Sequence, residues 1–216
     1  KNNYCYSHHM NSLLFLQILF VCLLGAMSPG PSMVVVINNA ITKSRVNGII
    51  AAIAHGIGIA IYALFAVLGI GLIIQTSSLV FNGLQVLSIA FLFYLGVQSL
   101  RNIDQIDFED TSVKSGVTSF AQGFAISILN PKIFIWFVAI YSQFMSIDNN
   151  LILNATLVVT AGIVDTVWYI LLVYLVTSGM VFGLIKKNYR MIEKIIGVIF
   201  IILSIGLGIN ILVSLR

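Results

Sequence analysis

Three ionisable side chains stand in stretches otherwise free of charge: His55 in "AAIAHGIGIAIY", Lys132 in "ILNPKIFIW" and Asp165 in "AGIVDTVWY". A charge in apolar surroundings is costly and as a rule faces an interior partner or a cavity, so each is a candidate for function. Lys132 could hold an anion such as a carboxylate. Asp165 could meet an ammonium group, or release and rebind a proton in a medium of low dielectric. His55 could relay protons or hydrogen-bond a ligand. Lys132 directly follows Asn130 and Pro131, and a second proline cluster, Pro29, Gly30 and Pro31, interrupts another apolar run in "MSPGPSM".

Proline inside a helix removes a hydrogen bond and clashes with the preceding turn, at a cost of about 3 kcal/mol. Two prolines flanking a glycine therefore predict two half-helices instead of one span. Asn130 is a favoured N-cap and Pro131 a favoured first helical residue, which predicts the same break in the second place. A helix that starts inside a membrane offers unpaired N–H groups and a partial positive charge, a combination suited to a carboxylate. The simpler reading of a lone proline is a structural kink. Two breaks at matched depth favour a substrate cavity instead, bound by Pro29, Gly30, Pro31, Asn130, Pro131 and Lys132.

A cation beside a helix N-terminus is disfavoured by about 0.3–1 kcal/mol, so Lys132 calls for an anionic offset. Asp165 can supply it, and a purely structural Lys132–Asp165 ion pair is the plain alternative to a transport role. His55 shares a helical face with Gly58 and Tyr62, and its plain alternative is a satisfied interior histidine. Tyr62 and Tyr169 are expected to line the cavity, the latter because it follows Asp165 by one turn. The amides Asn38, Asn39, Gln98, Gln143 and Asn210 read as bonds between helices.

The elements that must position these residues follow from composition. Of the 216 residues 59% are hydrophobic and 8% charged, and the mean hydropathy is +1.06, whereas soluble domains carry roughly 25% charged residues. Residues 2–42 and 46–100 contain no Lys, Arg, Asp or Glu, and about 20 apolar residues suffice for one crossing. The fold expected is all-α, a polytopic membrane protein with six spans, roughly 12–42, 47–74, 79–100, 117–145, 151–178 and 191–215. A polar tail over 1–11 precedes a single transmembrane domain over 12–216, with a charged linker at 104–114. An h-region over 13–27 could belong to a cleaved signal peptide, but Pro29 and the apolar run after it favour a retained helix.

Six spans place Lys43, Arg45, Arg101, Lys114, Lys186, Lys187, Arg190 and Lys194 on one side, and Lys1 and Arg216 on the other. The basic side is read as cytoplasmic and both termini as outside. The matching breaks, together with "LGVQ" at 95–98 and "LGIN" at 207–210, suggest two three-helix repeats, about 12–103 and 115–216. An odd number of spans per half makes them inverted. The net charge of +4 lies mainly in loops and does not imply nucleic acid. Cys5, Cys22, His8 and His9 have no metal spacing, and no cofactor or metal is called for.

The blocks "SPGPSMVVVINNAI", "GIIAAIAHGIGIAIYALFAVLGIGLII", "FLFYLGVQSLRN" and "SFAQGFAISILNPKIFIWFVAIYSQF" occur in order, and together they resemble the lysine exporter family in its homoserine and threonine resistance branch. The resemblance runs from about residue 12 to 216 and implies a six-span inner-membrane protein of bacteria that exports amino acids by proton antiport. It carries the family's proline-glycine-proline motif onto Pro29, Gly30 and Pro31, its asparagine-proline-lysine motif onto Asn130, Pro131 and Lys132, and its fifth-span acid onto Asp165. The branch for basic amino acids resembles a form with an aspartate in the second span; none lies between 46 and 100, which favours neutral substrates such as threonine or homoserine. The partners implied are a small amino acid and the bilayer, with homo-oligomerisation open. A non-transporting membrane subunit or scaffold is the nearest alternative, followed by an intramembrane enzyme, with export of another small molecule or ion by a related fold beside them. The enzyme reading lacks a serine–histidine pair and a metal cluster in the spans.

Overall fold

The structure, a computed structural model, describes residues 12–101, 118–145, 151–178 and 180–214. The 1–11 tail, the 104–114 linker, Lys1, Lys114 and Arg216 lie outside them. Among the described residues there are eight α-helices, one π-helical turn and no strand: α1 (Ser12–Met27), α2 (Pro31–Asn38), the π-turn (Asn39–Lys43), α3 (Arg45–Thr76), α4 (Ser78–Arg101), α5 (Ser119–Leu129), α6 (Pro131–Phe144), α7 (Leu151–Thr177) and α8 (Met180–Ser214).

Four helices contain stretches long and apolar enough to cross a bilayer, and two bent pairs bring the number to six. The bends are 69° between Ser12–Met27 and Pro31–Lys43 and 56° between Ser119–Leu129 and Lys132–Phe144. Leu64, Phe65, Leu68 and Leu72 of α3 remain exposed, as do Ile202, Ile205 and Ile209 of α8. Such apolar faces suit lipid, not water. The chain is an all-α, multi-pass membrane protein.

Each break has a local cause. Pro31 stands in the first turn of α2, after Gly30 in extended backbone, and Pro131 stands in the first turn of α6, after an Asn130 N-cap. At about 1.5 Å per residue, the 11 residues of α5 span some 16 Å, half of a hydrocarbon core about 30 Å thick. The expected sixth span agrees with the apolar stretch Arg190–Val213, but its helix begins earlier, because α8 runs unbroken from Met180. Lys, Arg, Glu and Met are good helix formers, so the polar "KKNYRMIEK" ends membrane burial without ending the helix.

Helices α3 and α7 form the centre, with α5 packed on α3, α1 on α7, α8 on α4, and α6 on both α4 and α3. Between lipid-embedded helices contact comes from close fit, and small residues permit it. A methyl group on Gly56 would fall 2.9 Å from the Gly162 carbonyl oxygen and closer still to Thr166, and one on Gly123 would collide with the Ala51 backbone.

One end of the bundle is tied by polar contacts. Arg45 Nε donates to Thr177 Oγ1 at 2.8 Å, and Ser119 Oγ donates to Asn47 Oδ1 at 2.9 Å. Asn39 Nδ2 donates to Val35 O at 2.9 Å and to Gln122 Oε1 at 2.8 Å, crossing from the π-turn to α5. These bonds place the end of the π-turn, the start of α3, the start of α5 and the end of α7 together. With Lys43 and Arg45 there, this is the basic end.

Candidate functional site

The two breaks meet. Asn130 Nδ2 donates to Ser32 Oγ at 3.4 Å, and Lys132 Nζ donates to Ser28 Oγ at 2.7 Å and to Pro29 O at 3.1 Å. The α1–α2 interruption and the start of α6 thus form one polar junction between segments about a hundred residues apart. A cavity adjoins it, lined by Gly30 and Ser32 together with side chains of α1, α3, α6 and α7, among them His55, Asn130, Lys132, Trp136, Asp165 and Tyr169. It is a cavity of about 60 Å³, roomy enough and polar enough to hold water or a small polar molecule.

Lys132 is held by neutral oxygens. The expected Lys132–Asp165 ion pair is not formed, because Asp165 has another partner: His55 Nδ1 and Asp165 Oδ2 share a hydrogen bond of 2.7 Å, and both residues are buried. The ammonium lies beside the residues that follow α1, whose last carbonyls carry the negative end of a helix dipole. That pole and the Pro29 carbonyl offset a cation that its own helix N-terminus disfavours. With two of three ammonium protons spent, one donor remains for a ligand.

The two half-helix N-termini differ. Asn130 closes α6 itself: its Oδ1 accepts from Lys132 N at 3.0 Å, and its carbonyl accepts from Ile133 N at 3.1 Å. The expectation of two open N-termini is therefore corrected to one. Gly30 has no side chain with which to cap α2, and no side-chain cap is made there. The first N–H groups of α2, from Ser32 onward, keep the dipole's positive end uncapped beside Lys132.

His55 is buried and only half satisfied. Its Nδ1 is committed to Asp165, and its Nε2 has no partner among the described residues although His55 lines the cavity. The Tyr169 ring meets His55 edge-on at 4.9 Å between centroids. A buried ring nitrogen left open onto a polar cavity is a place for a ligand or water hydrogen bond.

Gly30, Asn130, Lys132, Asp165, His55 and Tyr169 of the expected site line this cavity; Pro29 and Pro31 shape the first break without doing so, and Pro131 opens α6 at the second. Tyr62 does not line it. Its hydroxyl donates to the Ile128 carbonyl, and its ring leans on Phe134 at 6.0 Å. It shares the helical face of His55 but stands seven residues, about 10 Å, farther along α3, beyond the cavity. Ser28, Ser32, Gly25 and Trp136 are on the wall and were not expected. The two serines bracket "PGP", so polar groups placed at a break were the available signal.

Most of the cavity wall comes from α1, α3, α6 and α7, and Ser32 of α2 joins it at the break. Toward the basic end α2 packs with Ala51, Ala52, Leu172 and Val173 in an apolar cluster that also includes Tyr169 of the cavity wall.

Fold and site together define a multi-pass helical membrane protein with a small amphipathic cavity at the meeting point of two interrupted spans. The chain belongs to the LysE type translocator family, which it matches over residues 23–211. It is 27% identical over 209 residues to the threonine efflux protein of Escherichia coli (strain K12), covering 94% of this chain and 98% of that one. It is 27% identical over 195 residues to the uncharacterized membrane protein YrhP of Bacillus subtilis (strain 168), covering 84% and 92%. To the leucine efflux protein of Salmonella choleraesuis it is 26% identical over 181 residues, covering 80% and 84%. No solved structure matches the chain.

Proposed function

We propose that this protein is a secondary transporter that exports neutral amino acids, such as threonine or homoserine, from the cytoplasm across the bacterial inner membrane by proton antiport. One observation carries the reading: Lys132, the uncapped start of α2 and the His55–Asp165 pair share the wall of one small cavity. An amino acid is a zwitterion, and this wall is polar in both senses. The carboxylate takes the free Lys132 proton and the α2 N–H groups. The ammonium lies toward Asp165, or the Asp165–His55 pair takes up the proton that returns.

The efflux proteins among the relatives support the direction of transport, and the absence of an acid between 46 and 100 supports an uncharged substrate side chain. The pairing of α3 with α7 and α4 with α8 supports the inverted-repeat reading, since exchanging the halves preserves both pairs. The basic end is taken as cytoplasmic, with both termini outside. A His55 Nε2 that faces the cavity with no partner among the described residues favours a ligand site over a purely structural role.

The test is a comparison of amino acids in the medium of cells with and without the overproduced protein. Excess neutral amino acid is expected outside the producing cells, along with tolerance to added threonine or homoserine. Identical media overturn the proposal.

A further inference from the structure

We infer that Gly25 and Trp136 select the substrate side chain, admitting short uncharged groups, setting how large they can be, and rejecting charged ones. This rests on the exporter reading above and adds to it the determinant of specificity.

Lys132 faces the cavity from the start of α6, beside the α1–α2 break, and His55 and Asp165 face it from α3 and α7, with Cys22 and Tyr141 also on the wall. Along α6, Lys132 and Trp136 are neighbours at four residues' spacing, about 6 Å apart along the axis. A carboxylate held by Lys132 therefore leaves the next turn, at Trp136, for the side chain. There the wall is made by Val21, Ile59, Ile133, Phe137 and Ile140. The one hydroxyl on this wall, that of Tyr141, donates to the Leu157 carbonyl at 2.6 Å. A charged side chain would lose its hydration there and gain no partner.

The size of this end is set by a fit between two residues. The Trp136 indole lies across α1 at Gly25 so closely that a methyl group on Gly25 would stand 2.7 Å from Nε1, 3.0 Å from Cε2 and 3.3 Å from Cζ2. On α8, Phe200 is fully buried and meets the same indole at 5.1 Å between centroids. The rigid ring is thus bounded by α1 and α8, and the space left to it is the cavity. Any larger residue at position 25 drives the indole into the volume that the substrate side chain needs. A phenylalanine at position 136 lacks the atoms that reach Gly25, so it relieves the collision.

The experiment is counterflow of radiolabelled L-threonine, L-leucine and L-lysine in liposomes holding the full chain as wild type, Gly25→Ala, Trp136→Phe and the double variant. Wild type is expected to exchange threonine and leucine and not lysine. Gly25→Ala is expected to lose about tenfold more leucine than threonine exchange, the scale of one methylene in an apolar pocket, and the double variant to recover the leucine. Should Gly25→Ala not fold, Trp136→Phe alone is expected to raise the leucine-to-threonine ratio. An unchanged ratio in both single variants, no recovery in the double variant, or lysine exchange by the wild type overturns the inference while leaving the exporter reading intact. A wild type that exchanges no amino acid overturns both.

Discussion

Substituting Asp165 by asparagine separates the structural from the functional weight of the His55 pair. The pair spans 2.7 Å, and both residues are buried. A hydrogen bond to a charged group is worth about 1.5–3 kcal/mol, against about 1 kcal/mol for a neutral one. Asparagine has nearly the same shape and its amide still bonds Nδ1, so Asp165→Asn should cost the fold only the difference, about 0.5–2 kcal/mol. The protein should be made in wild-type amount and elute as a single species. Export should cease, because an amide carries neither a negative charge nor an exchangeable acid proton. The two roles of Asp165 divide in liposomes. If it meets the substrate ammonium, counterflow at equal pH should weaken by about ten- to a hundredfold, the equivalent of the lost charge-assisted bond. If it carries only the proton, counterflow persists and a pH gradient ceases to drive accumulation. A variant that is well folded and exports at the normal rate refutes both roles.

Three further outcomes follow from the packing. Asn130→Ala removes the α6 cap and should cost about 1 kcal/mol in thermal unfolding. Asn130→Asp keeps the cap but sets a negative charge beside the proposed carboxylate, so stability should hold while export falls; equal export by both would contradict an anion site there. Gly123→Ala forces a methyl into the Ala51 backbone and should cost about 1–3 kcal/mol, read as lost folded yield, whereas Gly69→Ala, with open space around it, should not. Joining Asn39→Cys to Gln122→Cys with a short thiol cross-linker fixes the π-turn to α5 and should arrest export, because on the proposed orientation the substrate enters from the basic end and these segments must part; undiminished export by the cross-linked protein would show that they need not.

Much of the scaffold could be read from the chain because its causes are local. Proline interrupts a helix interior and favours a first helical position, and Asn130 before Pro131 caps a helix by its own chemistry, so both breaks stand where they were expected. Charge was legible and partnership was not. From sequence, Lys132 and Asp165 are the natural pair, since they are opposite charges in a medium that penalises both. The fold instead gives Asp165 to His55 and Lys132 to Ser28 and the Pro29 carbonyl, because a backbone carbonyl and a helix end can offset a cation as an acid does, and neither leaves a mark in composition. Tyr62 shows the limit of periodicity, which fixes the face of a helix and not its height relative to a cavity. Gly25 was silent for a related reason: a glycine among leucines acquires meaning only when an indole from another helix occupies the space it leaves. The unbroken start of α8 and the π-turn at Asn39–Lys43 were hidden likewise, since neither contains a breaker.

The account depends on one cavity binding the carboxylate of an amino acid through Lys132. Counterflow by the purified protein in liposomes, with L-threonine and L-leucine set against the amines that lack only the carboxylate, measures this directly for the wild type and for Lys132→Gln. The wild type should exchange the amino acids and not the amines, and Lys132→Gln should lose the exchange while remaining folded. Equal exchange of amines and amino acids, or full exchange by Lys132→Gln, would contradict it.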